Sequence, residues 1–185
     1  ANIPDWGGAD FRDIMAGVDA PVRNGIADPD RLAIQGWSYG GYMTSWGLTQ
    51  TTRFKAAMVG AGITNLWSMY GTNDLPNYLA AFFGGIPSKE TLPLYMERSA
   101  VTHAHKAITP TLILHGGSDE RVPIGQPMEF YRALKERGTP AELVFYPRQG
   151  HGLQEYYHQL DRLQRQFAWI TRYTLGDEGR KTTTQ

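Results

Sequence analysis

Gly36-Trp37-Ser38-Tyr39-Gly40 constrains this chain more than any other stretch, because the apolar run Leu32-Ala33-Ile34 enters it and Gly41-Tyr42-Met43-Thr44-Ser45-Trp46 leaves it. A G-x-S-x-G pattern between a strand and a helix describes a sharp turn that pushes one serine hydroxyl outward. Gly36 and Gly40 carry no Cβ and are expected to let strand and helix close around that turn. The five-residue pattern is common by itself, and a serine at the start of a helix can also be a plain N-cap. The rest of the chain has to decide between the two readings.

The rest of the chain alternates strands with helices. Phe11, Ile14, Met15, Val18 and Val22 recur at helical spacing, and Gly25 follows as a C-terminal cap, which predicts a helix over 9–24. Asp28-Pro29-Asp30 is a turn, 31–37 a buried strand ending at the serine, 39–50 a helix, and Phe54 to Ala61 a second strand. Residues 62–107 differ: Trp67, Tyr70, Tyr78, Phe82, Phe83 and Tyr95 are interrupted by Gly71, Pro76, Gly84-Gly85, Pro87 and Pro93, so short helices and loops are expected. Thr111 to Gly116 is a strand, 126–137 a helix stopped by Gly138, and Glu142 to Tyr146 a strand. A last helix over 153–174 carries Tyr156, Leu160, Leu163, Phe167 and Ile170 on one face, and the polar tail 176–185 is expected to be disordered. Such alternation predicts an α/β fold with a mostly parallel sheet flanked by helices. We read 1–175 as one catalytic domain containing the aromatic segment 62–107.

Composition removes several function classes. A formal net charge of +0 offers no attraction to nucleic acid or to an anionic membrane. No apolar run approaches the roughly 18 residues that a membrane helix needs. No signal-peptide pattern is visible, and a cytoplasmic location is expected. The absence of cysteine excludes disulfides and cysteine–zinc sites. No metal or cofactor is expected: His103 and His105 have the spacing of a paired ligand set but no acidic neighbour.

A serine hydroxyl is a weak nucleophile unless a base takes its proton and an acid orients that base. In a parallel sheet these groups belong in loops beyond the C-terminal ends of strands. Asp119 follows the 111–116 strand in Gly116-Gly117-Ser118-Asp119-Glu120-Arg121-Val122-Pro123, and His151 follows the 142–146 strand in Gln149-Gly150-His151-Gly152. The order Ser, Asp, His is the one α/β-hydrolases use. Glu120 is the alternative acid, and His115, at the end of a strand, is assigned a structural hydrogen bond.

These residues carry a resemblance. Asp28-Pro29-Asp30-Arg31 through Gly36-Trp37-Ser38-Tyr39-Gly40-Gly41-Tyr42-Met43 closely resembles the prolyl oligopeptidase family of serine peptidases, nearest its acylaminoacyl-peptidase and dipeptidyl-peptidase-like branch. Asp5-Trp6-Gly7-Gly8, Ser68-Met69-Tyr70-Gly71, His115-Gly116 through Val122-Pro123, Phe130 to Leu134 and Gly150-His151-Gly152 extend the likeness over about 5–175. The resemblance implies an α/β-hydrolase fold with Ser38 as nucleophile, His151 as base, Asp119 as orienting acid and the Tyr39 backbone N–H as half of an oxyanion hole. It also implies a substrate wall from Ile63, Trp67, Tyr70 and Val122, with Arg121 near a substrate carbonyl. Trp67 and Tyr70, at i and i+3, fit a packed core equally well.

The sequence departs from the family pattern in lacking its β-propeller and the first strands of the hydrolase sheet. With those strands goes the loop that supplies the second oxyanion donor, a loss worth about 10²–10³ in rate. The strand bearing Ser38 is then expected to keep an open edge, which invites pairing with another chain. This predicts either the C-terminal portion of a longer enzyme or an assembly that completes the sheet. Three functions follow: a serine peptidase acting on short peptides or acyl-aminoacyl substrates, a small carboxylesterase using the same residues, or a partial hydrolase that is inert alone.

Overall fold

The computed structural model of the chain describes residues 5–75 and 77–176. The 176–185 tail lies outside them beyond Gly176. Four parallel strands, β1 (Ala33–Trp37), β2 (Ala56–Gly60), β3 (Thr111–Gly116) and β4 (Ala141–Tyr146), lie side by side in chain order. Helix α1 (Ala9–Arg23) precedes β1, and α2 (Tyr39–Gln50) leads from β1 towards β2. Short helices α3 (Leu66–Thr72), α4 (Tyr78–Phe82) and α5 (Leu92–Glu97) and a 3-10 helix (Ala100–Lys106) fill the expected irregular segment. Helix α6 (Gly125–Glu136) connects β3 to β4, and α7 (Tyr156–Leu175) closes the described chain.

The helix ends follow local chemistry. Beyond α1, Gly25 adopts φ +69°. Its N–H donates to the Val22 carbonyl and that of Ile26 to the Pro21 carbonyl, the paired bonds of a Schellman stop. Gly138 ends α6 in the same left-handed region.

β2 and β3 are buried on both faces, which is why their sequences are nearly continuous apolar runs. On one face Ala57, Val59 and Ile113 pack with Leu48 of α2, Phe130 and Leu134 of α6, and Ala100 and Ala104 of the 3-10 helix. On the other face Ala56, Met58, Leu112 and Leu114 meet Tyr146, Leu153 and Trp169. Helix α2 is buried from Gly41 to Thr49, because the sheet covers one side and a cluster containing Trp6, Phe11, Leu66, Leu79, Phe83 and Tyr95 covers another.

Two expectations change. β1 is not the buried strand read at 31–37: Ala33 and Gln35 are exposed, and, in keeping with the open edge expected of the strand bearing Ser38, no strand pairs with its outer side among the described residues. Most of the apolar face read on α7 looks away from the core, with Tyr156 69%, Leu163 53% and Phe167 60% exposed, whereas Ile170 packs beside the buried Trp169. α7 packs on β2 and β3 through Trp169, Ile170 and Tyr173. Leu163, Phe167 and Ile170 border a groove of about 440 Å³ shared with Arg31 and Gln35 beside β1.

Candidate active site

The turn after β1 stores backbone strain at one residue. Ser38 has φ 60° and ψ −119°, a region that costs a non-glycine residue about 1–3 kcal/mol and persists only where the surroundings impose it. Two contacts impose it here. The Ser38 N–H extends the β1–β2 ladder by donating to the Gly60 carbonyl at 2.9 Å, and the Ser38 carbonyl accepts the first helical bond from Tyr42 at 2.9 Å. Space around the turn depends on Gly36, where a Cβ would stand 2.3 Å from the Gly40 carbonyl oxygen. Gly40, expected to serve the same purpose, has nothing within 4 Å of its Cβ direction; Gly41 is the second tight position, 2.5 Å from the Gly60 oxygen. The Ser38 side chain caps no helix N–H, so the N-cap reading does not describe it.

The loops after β3 and β4 are stitched together. Gly117 N–H donates to the Tyr146 carbonyl and Ser118 N–H to the Gln149 carbonyl, both at 2.8 Å. The Gln149 side-chain oxygen accepts the N–H groups of Gln154 and Glu155, anchoring the second loop to the start of α7. The Trp37 indole N–H reaches across to the His151 carbonyl at 2.7 Å, tying the Ser38 turn to the same loop.

These ties bring three side chains into line. The Ser38 hydroxyl donates to His151 Nε2 at 2.7 Å, and His151 Nδ1–H donates to Asp119 Oδ2 at 2.9 Å. The Asp119 side chain is fully buried, and its Oδ1 accepts the Val122 N–H at 2.9 Å. Glu120 is exposed, and its contact with the site is a backbone carbonyl that accepts the Asp74 N–H. Tyr39 begins α2, so its N–H lies beside the hydroxyl at a helix N-terminus, where amide dipoles favour negative charge. Its phenol donates to Asp10, and its ring packs edge-on against Trp6, centroids 4.7 Å apart.

A cavity of about 240 Å³ opens beside Ser38 and His151. Ile63, Val122 and Arg121 are among its lining residues. Trp67 and Tyr70 do not line it. Trp67 is 47% exposed, and Tyr70 packs edge-on against Tyr95 at 6.2 Å. On the short helix α3 the inward position falls to Met69, between them, which lines the cavity with Trp6, Leu75 and Tyr78. Sequence reasoning missed those four. Trp6 lies 32 positions before Ser38, and the quoted Asp5-Trp6-Gly7-Gly8 stretch was its only signal.

Arg121 is held by Asp74 through Nε–Oδ1 at 2.6 Å and Nη2–Oδ2 at 3.3 Å. The guanidinium's hydrogen bond holds the Asp74 carboxyl below its ordinary value and raises Arg121 in turn. His103 Nε2 bonds the Glu97 carbonyl, and its ring meets Trp46 edge-on.

The sequence pattern of the prolyl oligopeptidase family matches residues 1–177. The uncharacterized peptidase YuxL of Bacillus subtilis is 38% identical over 162 residues, 87% of this chain and 25% of that protein. The acylamino-acid-releasing enzyme of Arabidopsis thaliana is 31% identical over 90% of this chain and 23% of its own length. A solved Mycobacterium tuberculosis puromycin-hydrolyzing peptidase superposes with TM-score 0.87 at 33% identity, covering 92% of this chain and 26% of that one. The chain therefore spans about a quarter of the length of the relatives it matches.

Proposed function

Since the chain belongs to the prolyl oligopeptidase family, we propose that it carries the reacting groups of a serine peptidase that cleaves short peptides or acyl-aminoacyl substrates. The observation that carries this reading is the continuous line from Ser38 Oγ through the His151 ring to Asp119, beside an apolar cavity. Ser38 Oγ attacks the scissile carbonyl carbon while its proton passes to His151 Nε2. The carbonyl oxygen becomes an oxyanion facing the Tyr39 N–H. Asp119, buried and acceptor-only, holds the imidazole in the tautomer that presents Nε2 to Ser38 and stabilises the imidazolium that forms. His151 then protonates the leaving amine as the C–N bond breaks, which leaves an acyl ester on Ser38. Water then attacks the acyl carbon and gives its proton to His151; the C–O bond to Ser38 breaks, His151 returns the proton to Ser38 Oγ, and the acid leaves.

The test is treatment with a fluorophosphonate and mass spectrometry of the product. The expected result is one label per chain on Ser38, abolished in Ser38→Ala with folding retained. A label elsewhere, or one that survives in Ser38→Ala, overturns the assignment. An esterase uses the same groups on a better leaving group. Faster turnover of an aminoacyl-anilide than of p-nitrophenyl acetate supports the peptidase reading, and the reverse supports the esterase.

We propose further that the outer edge of β1 is covered by a β-strand from outside these 185 residues. Support comes from the unpaired β1 edge, the apolar groove between β1 and α7, and the greater length of the relatives. Such an edge is a template for strand addition. The 185-residue chain is then expected to self-associate in light scattering. A monodisperse monomer with cooperative unfolding refutes the proposal.

A further inference from the structure

His115 is a buried titratable group that the mechanism above does not use. It is the fifth of six residues in β3, and its side chain has no solvent exposure. Its Nε2 lies 2.7 Å from the Val122 carbonyl oxygen, which can only accept, so Nε2 carries the proton. Its Nδ1 is buried without a hydrogen-bond partner among the described residues. A protonated ring would bury both a charge and an orphaned donor there, so the ring stays neutral, and burial lowers its pKa. The charged or titratable groups facing it are Asp119, whose Oδ2 is 3.5 Å from Nε2, and His151.

The Val122 peptide links His115 to the reacting groups. Its carbonyl accepts from His115, and its N–H donates to Asp119 Oδ1. The other carboxylate oxygen receives His151. β3 is a central strand paired on both sides, whereas 117–123 is a loop. His115 therefore carries the rigidity of the sheet into the loop that aims the acid. Its unsatisfied Nδ1 is a cost that a leucine or methionine filling the same slot would avoid, so the donor at Nε2 is the reason for a histidine here.

We infer that His115 is a positioning residue for Asp119, fixing the orientation of the carboxylate through the Val122 peptide and by the approach of its own Nε2–H. The inference rests on the Ser38–His151–Asp119 reading.

Glutamine places an amide N–H close to where the imidazole carries Nε2–H, while methionine has similar length and no donor. Fluorophosphonate labelling of H115Q and H115M is compared with that of the unaltered chain, together with the low-field proton NMR signal of His151 Nδ1–H. H115M is expected to acylate about tenfold more slowly, the factor that corresponds to one lost neutral hydrogen bond. Inhibitor affinity should change less than twofold, and the His151 proton should shift upfield or be lost. H115Q is expected to restore both the rate and the signal. H115L replaces H115M if the latter does not fold. A folded donor-free variant that keeps the rate and the signal overturns the inference, as does H115Q behaving like H115M. If Ser38 never labels but the proton signal still follows the donor, the catalytic reading fails and the positioning role stands.

Discussion

Gly116→Ala tests whether the loops that carry Asp119 and His151 must touch. Gly116 ends β3 with a backbone conformation outside the left-handed region, so alanine meets no φ penalty there. The difficulty is space: a Cβ at 116 would stand 2.1 Å from the Gly150 carbonyl oxygen and 2.5 Å from that of Gln149. Both obstacles are backbone atoms of the segment carrying His151, and neither can rotate away. Side-chain carbons essentially never approach other heavy atoms closer than 3.0 Å, so the His151 loop has to retreat by about 1 Å, and overpacking of this kind costs about 1–3 kcal/mol of stability. The same movement takes the 2.7 Å contact between Ser38 Oγ and His151 Nε2 beyond hydrogen-bond reach. A misplacement of about 1 Å at reacting groups lowers the rate about 100-fold. Gly150→Ala is the control, because its Cβ meets nothing nearer than 3.9 Å, and it should acylate normally. The assay is the rate of fluorophosphonate labelling at Ser38, with thermal unfolding of each variant in parallel. A folded Gly116→Ala chain that labels within threefold of the unaltered rate refutes the argument.

Two further outcomes are expected. Asp119→Asn should retain the fold and slow acylation about 10⁴-fold, because an amide favours the wrong imidazole tautomer; near-normal rates would transfer the acid role to Glu120. His115 should also leave a signature in stability against pH. Burial lowers its folded-state pKa below the ordinary 6.5, so the unfolded chain binds a proton that the folded chain does not once pH falls below that value. Relative to H115Q, the unaltered chain should then lose stability with a limiting slope of about 1.4 kcal/mol per pH unit, and the difference should be constant above about pH 7.5. Urea unfolding between pH 5 and 8 measures it, and parallel curves would mean that His115 takes up a proton in the folded state.

What the sequence determined by itself was whatever periodicity and chain order encode. The apolar runs at 54–61 and 111–116 announced strands, Gly25 and Gly138 marked helix ends, and Ser38, Asp119 and His151 each followed a strand in an order that one fold uses. Local residues are enough for these features, because turn chemistry and side-chain period act within a few positions. What only the tertiary structure decided was which surfaces meet. Nothing along the chain distinguishes Trp67 and Tyr70 from Met69 as cavity wall, since on a one-and-a-half-turn helix the packing of neighbouring elements sets the inward side. Trp6 enters the site because a distant turn folds onto α2. The apolar stripe of α7 has helical spacing whether or not a strand lies beneath it, and here no strand lies outside β1 among the described residues. The tightness at Gly36 and Gly41 rather than Gly40 arises from carbonyls that the turn brings close. The role of His115 depends on a peptide seven residues away folding back over its ring, a contact between backbone and side chain that no residue pattern records.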